Sequence, residues 1–533
     1  MRPAPEVVHS RPARIPLIAA LATFGLHLVG NPHYGYFRDE LYLIVCGRHP
    51  DWGYVDQPPL TPLLAAGSQI LGHSLVLLRA IPALFAAGAV YVACLLAAEF
   101  ISGATTATSS PFPEGTKREV ENSKVFAQVL AALAVFFSVV LMNFGMKVSP
   151  DVVGLWLWPL AALYTLRLTR GADPRGWLVV GAAIGVSIES KYTVIFFALA
   201  LLAGLLLTRE RSILFSRWFL AGCGLCGLIA LPNFLWQVHY GFPTLEFLRN
   251  AAHGKNMIVG PGLYLFQQLI INNLLISFVW LAGLVWLLWN ARVRFLALTY
   301  IILIGFMIAL HGKHYYPGDA YPYLMAAGGV AIAALTSRRK ALQPVVIAAV
   351  VVLGLIFVPL GMPILPEEQA AAYTNWLFRT LHLSRQAVAT EHHQLPTLPS
   401  DWADMHGWPE LAATVAKVYD SLPPTERAQT AIAADNYGEA AAIDFFGGRY
   451  GLPPAISGHN QYFLWGTHGY NGNVVIDVGG DCGARDHLFQ SSERAATFTS
   501  PWIQPFENNL PIMVCRGIQE PLAELWPKLK SYR

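Results

Sequence analysis

Long apolar stretches alternate with short polar ones over the first two thirds of the chain, and the last third loses that pattern. Apolar runs fall at 15–31, 75–100, 125–144, 151–169, 177–189, 191–208, 218–236, 263–290, 295–311, 321–336 and 343–361. A helix needs about 20 residues to cross a hydrocarbon layer, so the pattern predicts about eleven transmembrane helices, the short fifth run suggesting a broken or tilted span. Beyond residue 362 the polarity is that of a water-exposed domain. There 431–434 and 474–478 read as buried strands and 409–419 and 437–446 as helices, the alternation of a small α/β domain. The expected fold class is a polytopic α-helical membrane protein, with a membrane domain at 1–361 and an α/β domain at 362–533.

Basic residues occupy every second loop: Arg2, Arg11 and Arg14; Lys117, Arg118 and Lys124; Arg167, Arg170 and Arg175; Arg209, Arg211 and Arg217; Arg292 and Arg294; Arg338, Arg339 and Lys340. The positive-inside rule makes these loops cytoplasmic. An odd number of spans then exports residues 362–533 and also places the loop at 32–74 outside. The first apolar run is read as an uncleaved helix, because no small-x-small cleavage site follows it. Of 533 residues 54% are hydrophobic and 13% charged, against about 25% charged in a soluble protein. A net charge of +3 without a basic run gives no sign of nucleic acid. Of six cysteines, Cys46, Cys94, Cys223 and Cys226 lie in or near apolar runs, whereas Cys482 and Cys515 fall in the exported part. That compartment allows the two to pair, and they are the disulfide candidates.

The outward loops hold the candidate chemistry. Tyr36-Phe37-Arg38-Asp39-Glu40-Leu41-Tyr42 and Tyr54-Val55-Asp56-Gln57-Pro58-Pro59-Leu60 crowd acids among aromatics beside a membrane, where ionisable groups are functional candidates by default. Further on come Lys147-Val148-Ser149-Pro150-Asp151, Lys191-Tyr192-Thr193, Arg249, and Lys313-His314-Tyr315-Tyr316. Each has a plainer reading: solvated loop acids, Asp151 as a helix cap, and Lys313 with its tyrosines snorkelling at an interface. Taken together they offer what transfer from a lipid phosphate requires. A carboxylate takes the proton of an attacking hydroxyl, and cations stabilise charge growing on the departing phosphate.

Arg38-Asp39-Glu40, Pro58-Pro59-Leu60, Ser149-Pro150-Asp151, Lys191-Tyr192-Thr193 and Lys313-His314-Tyr315-Tyr316 with Tyr321-Pro322 resemble, in that order, bacterial members of glycosyltransferase family 39. These are relatives of protein O-mannosyltransferases and of the lipid A aminoarabinose transferase. Asn436-Tyr437-Gly438-Glu439-Ala440 and Ser457-Gly458-His459-Asn460 with Leu464-Trp465-Gly466 look like their exported domain. The resemblance implies a GT-C fold, the bacterial inner membrane, a polyprenyl-phosphate sugar donor, a lipid, glycan or protein acceptor, and inversion at the anomeric carbon. It casts Asp39 as general base, with Glu40 and Asp151 as further catalytic acids.

One departure is informative: the aminoarabinose transferases carry a phosphate-binding lysine before Pro-Pro-Leu, and this chain has Gln57. Phosphate binding then falls to Lys313, His314, Lys191 or Arg249, and substrate binding to Asp56, Gln57, Tyr315 and Tyr316. No cofactor is firmly implied. A divalent metal held by Asp39, Asp56 and Asp151 is an alternative to metal-free chemistry. A transporter or flippase for a lipid-linked sugar is the competing function, and predicts ionisable groups near the bilayer midplane. A sensor anchored by its helices is the third, for which eleven spans are excessive.

Overall fold

The computed structural model describes residues 14–105, 117–254, 259–384, 394–483 and 487–533. The apolar runs become helices α1 (Arg14–Gly30), α4 (Leu75–Thr105), α5 (Lys117–Phe136), α6 (Val139–Met146), α7 (Gly154–Thr169), α8 (Gly176–Ile188), α9 (Val194–Leu206), α10 (Arg217–His239), α12 (Pro261–Ile271), α13 (Phe278–Trp289), α14 (Arg294–Ala309), α15 (Tyr321–Thr336) and α16 (Leu342–Leu355). Between them lie α2 (Arg38–Arg48), α3 (Leu60–Gly67) and α11 (Pro243–Gly254). Among the described residues, two helices are long and apolar enough to cross a membrane, over Leu75–Gly103 and Arg217–His239. The pair Arg118–Phe136 and Val139–Met146, bent by 66°, adds a third if it is one span. Six further apolar helices, α1, α8, α9, α13, α14 and α16, are shorter.

The expected runs at 125–144 and 263–290 are therefore each broken in two, and the two breaks meet. Ser138 Oγ, between α5 and α6, donates to Asn272 Oδ1 at 2.9 Å, and Asn273 Nδ2 donates to the Phe137 carbonyl at 3.3 Å. Asn273 holds φ at 66°, a left-handed conformation that Asn tolerates. All three polar side chains are buried, so the Phe137 carbonyl at the break of one helix is satisfied by an amide at the break of the other. Elsewhere the helices pack closely: a Cβ on Gly283 would lie 2.0 Å from the Leu324 carbonyl oxygen, and one on Gly328 2.0 Å from that of Val279. Small residues there let α13 and α15 touch backbone to backbone.

The C-terminal part carries a five-stranded sheet in the order β2-β1-β3-β5-β4, from β1 (Thr430–Ala434), β2 (Ala455–Ile456), β3 (Val474–Val478), β4 (Phe489–Phe498) and β5 (Leu510–Ile518). The first three strands are parallel; β5 and β4 are antiparallel additions. Helices Trp408–Ser421 and Tyr437–Phe446 fall where the sequence places them. Cys482 and Cys515 are bonded, tying the turn after β3 to β5.

α2 does not pack as part of a membrane-facing loop. Leu41, Tyr42, Leu43, Ile44, Val45 and Cys46 share one apolar core with Trp408, Ile432, Ile476 and Val514. The helix that carries Asp39 is thus embedded in the C-terminal part, although it lies near the beginning of the chain.

Candidate active site

The first turn of α2 is fixed by Glu40. Its Oε2 accepts from the Phe37 backbone N–H at 2.9 Å, closing the helix start, and from Arg79 at 2.9 Å; its Oε1 accepts from Arg79 Nε at 3.2 Å and from the Val148 N–H at 3.0 Å. Arg79, on α4, also donates to the carbonyls of Asn31, His33 and Gly35. Both side chains are excluded from solvent. Every donor and acceptor of a buried pair must be met for it to hold, and here four chain segments meet them. This corrects the expectation for Glu40: its carboxylate is consumed in fixing α2 and has no face towards a substrate.

Asp39, one residue earlier, points elsewhere. Its Oδ1 accepts the Tyr437 hydroxyl at 2.8 Å and lies 3.7 Å from Arg38 Nε, and its side chain stays 36% exposed. Arg38 in turn lies 5.4 Å from the Tyr437 ring and 3.8 Å from Asp404. The C-terminal part thus supplies groups to the Asp39 carboxylate. Asp56 is drawn into the same interface, accepting from Tyr42 Oη at 2.9 Å and Asn460 Nδ2 at 3.4 Å. Gln57 is buried beside it, its carbonyl accepting the Tyr54 N–H.

Asp151 belongs to a second cluster. Its Oδ1 lies 2.5 Å from Lys191 Nζ, and that ammonium sits 4.4 Å from the Tyr316 ring and 5.2 Å from the Tyr315 ring. The structure therefore brings Asp151, Lys191, Tyr315 and Tyr316 together. Asp319 joins them unforeseen: it is buried before α15, with Oδ1 lacking a partner among the described residues. Burial, then the nearby Asp151 charge, push its carboxyl well above the usual range, against the pull of Lys191.

The remaining cation candidates differ in character. The His314 carbonyl accepts from Gln268, and burial together with Lys313 lowers the imidazole to about 4. It is neutral near pH 7, so towards a phosphate it would offer an N–H donor and not a charge. Lys313 Nζ lies 6.0 Å from the Tyr315 ring. Arg249 is exposed on α11, whose Glu246 and Asn250 hold Lys530 and Tyr532 of the C-terminal end.

The alternative metal site is also corrected. Asp39, Asp56 and Asp151 face Tyr437, Tyr42 with Asn460, and Lys191 respectively. Among the described residues the group whose ligand atoms converge within 4.8 Å is Asp477 with Cys482 and Cys515, and those sulfurs are joined to each other. The three aspartates do not form a shared oxygen cage.

Charged contacts separate by end of the bundle. Arg167 and Arg170 pair with Glu99, and Lys340 with Glu119, joining loops that the charge pattern assigns to one side. Glu40 with Val148, Asp151 with Lys191 and Lys147 with Asp401 join loops assigned to the other.

Two comparisons find similar proteins. A family profile described as dolichyl-phosphate-mannose-protein mannosyltransferase matches residues 122–236, a stretch that contains Lys147, Asp151 and Lys191. Crystal structures of ArnT from Cupriavidus metallidurans align over 94% of this chain and 97% of theirs at 16% identity. The one bound to undecaprenyl phosphate has a TM-score of 0.59 and the apo form 0.60. The chain therefore has the fold of these ArnT structures. No curated protein matches at a significant level.

Proposed function

We propose that the chain is an inverting glycosyltransferase that moves a sugar from a polyprenyl-phosphate donor to an acceptor hydroxyl at the outer face of the bacterial inner membrane, with residues 362–533 on the periplasmic side. The observation that carries this reading is the condition of Asp39. Among the three predicted catalytic acids it alone keeps a carboxylate that is held, by Tyr437 and Arg38, without being enclosed; Glu40 is sealed in and Asp151 is bound to Lys191.

In the proposed reaction the acceptor oxygen attacks the anomeric carbon as Asp39 takes its proton. The bond from that carbon to the phosphate oxygen breaks, its electron pair leaving with the phosphate, and the configuration inverts. A positioned base contributes about 10²–10⁴ in rate. Asp151 and Lys191, against Tyr315 and Tyr316, would orient the sugar, and cations at the outer end of the bundle would stabilise the leaving phosphate. A relative crystallised with undecaprenyl phosphate and a family profile named for a dolichyl-phosphate sugar both support a polyprenyl carrier. The sugar is a hexose or pentose; the acceptor is a lipid, glycan or protein.

The test is transfer by the purified chain in liposomes supplied with polyprenyl-phosphate sugars, with the product anomer read by NMR. An inverted product is expected. A retained anomer refutes the mechanism, and movement of the donor across the vesicle without product favours the transporter.

A further inference from the structure

Near the start of α2 a lysine and an amide of the chain hold one of its own carboxylates. Lys147, the C-cap of α6, has a side chain only 7% exposed. Its Nζ lies 2.7 Å from Asp401 Oδ2 and 2.9 Å from Asn143 Oδ1, and 4.5 Å from the centre of the Phe37 ring. Asn143 Nδ2 donates to the same Asp401 oxygen at 2.7 Å. An ammonium and an amide converging on one oxygen are the donors that a phosphate oxygen needs. Phe37 stands two residues before Asp39, so this pair of donors borders the helix end that carries the proposed base.

The two partners differ in freedom. Lys147 is fixed under Phe37 and Asn143. The Asp401 backbone is anchored by its own contacts: Trp402 is buried, and Gln504 Nε2 donates to the Ser400 carbonyl and hydroxyl at 2.7 and 2.9 Å. The Asp401 side chain, however, is 43% exposed. A change of its χ1 rotamer would take the carboxylate off Lys147 while the backbone stays in place. Although the side chain reaches solvent, the atoms packed around its carboxyl work against the charge, but Lys147, Asn143 and Arg38 outweigh them and hold the carboxyl below its usual range. His314 also lies within electrostatic reach.

We infer that Lys147 and Asn143 form the seat of the donor's phosphate, and that Asp401 is an internal carboxylate competing with it for the same two donors. This rests on the glycosyltransferase reading above and supplies what Gln57 cannot, a buried cation against Phe37, two residues before Asp39. A phosphodiester or lipid phosphate entering the seat takes over both hydrogen bonds, and Asp401 turns outward. The negative charge of Asp401 then sets how easily the seat is filled.

Binding of undecaprenyl phosphate to the full chain in nanodiscs tests this, with undecaprenol and inorganic phosphate as separate arms. Asp401→Asn removes the competing charge at constant shape and is expected to tighten undecaprenyl phosphate about tenfold, with Asp401→Ser agreeing. Lys147→Met is expected to weaken it at least tenfold, and Asp401→Asn added to Lys147→Met should restore nothing. Undecaprenol should respond to neither change; inorganic phosphate should follow the same order at lower affinity, showing that the phosphate group is what is read. Unchanged or weaker binding by Asp401→Asn and Asp401→Ser, at unchanged melting temperature, overturns the inference and leaves Asp401 as a structural support of Lys147. Binding that ignores Lys147 and Asp401 defeats this inference alone. Failure of every form to bind any polyprenyl phosphate defeats the glycosyltransferase reading.

Discussion

Arg79→Met is the sharpest test of how the site is held. Arg79 donates two hydrogen bonds to Glu40 and three to the carbonyls of Asn31, His33 and Gly35, all in the interior. Methionine fills much of the volume but meets none of these acceptors. It leaves a carboxylate out of contact with water, supported only by the N–H groups of Phe37 and Val148. Removing one partner of a buried ion pair costs about 3–5 kcal/mol, a large share of the roughly 5–15 kcal/mol that holds a typical protein. The loss should concentrate at α2, whose Cys46 thiol is buried, so the labelling rate of Cys46 by a maleimide reports it directly as local opening. Cys94, buried in α4, serves as a reference for the bundle. Arg79→Met should speed Cys46 labelling about 100-fold or more, and Glu40→Met added to it should recover part of the loss by removing the unpaired charge. A cost below about 1 kcal/mol, the range of exposed ion pairs, would refute the assignment of Glu40 as the residue that pins α2.

Three other outcomes follow from the contacts. Tyr437→Phe, which removes the hydroxyl on Asp39, should lower turnover with little change in donor KM or melting temperature; an equal change in both kinetic constants would place Tyr437 in donor binding instead. His314 is held near 4 against 6.5 unfolded, so between those values the unfolded chain binds a proton that the folded chain does not. Stability should therefore fall as pH drops from 6.5 towards 4, and His314→Gln should flatten that fall in a thermal melt; an unchanged slope would show that the imidazole is not held neutral. Replacing Cys482 and Cys515 by serine opens a crosslink across 33 positions and should cost about 3–4 kcal/mol on the chain-entropy scale, seen as a lower melting temperature of the wild type in reductant; insensitivity to reductant would contradict it.

The sequence shows some parts of this molecule and hides others for physical reasons. Strands β1 and β3 are legible because they lie inside the sheet and read as continuous apolar runs. β4 is not: at the sheet edge its residues Ser491, Ser492, Glu493 and Arg494 face solvent and carry no apolar signal. The break in 263–290 rests on Asn272-Asn273, two residues whose meaning appears only when Phe137 and Ser138 lie opposite. Asp39 stands out as an acid beside an apolar run. The different condition of Glu40 depends on Arg79, a lone cation in the apolar stretch Val76-Leu77-Leu78-Arg79-Ala80, and that isolation is a signal that could have been read. Asp401 carries none, and Tyr437 only its place in the Asn436–Ala440 motif, since they reach Lys147 and Asp39 from far along the chain. Asp319 is similarly silent, because a single aspartate before a helix is ordinarily a cap.

Turnover by Asp39→Asn tests the central claim most directly. The purified variant is given a polyprenyl-phosphate sugar donor and acceptor in liposomes, with single-turnover transfer and donor binding measured on the same preparation. The account predicts loss of at least 100-fold in the transfer rate with donor affinity and melting temperature close to those of the wild type. Transfer at near wild-type rate would mean that another group takes the acceptor's proton, and the account would fail.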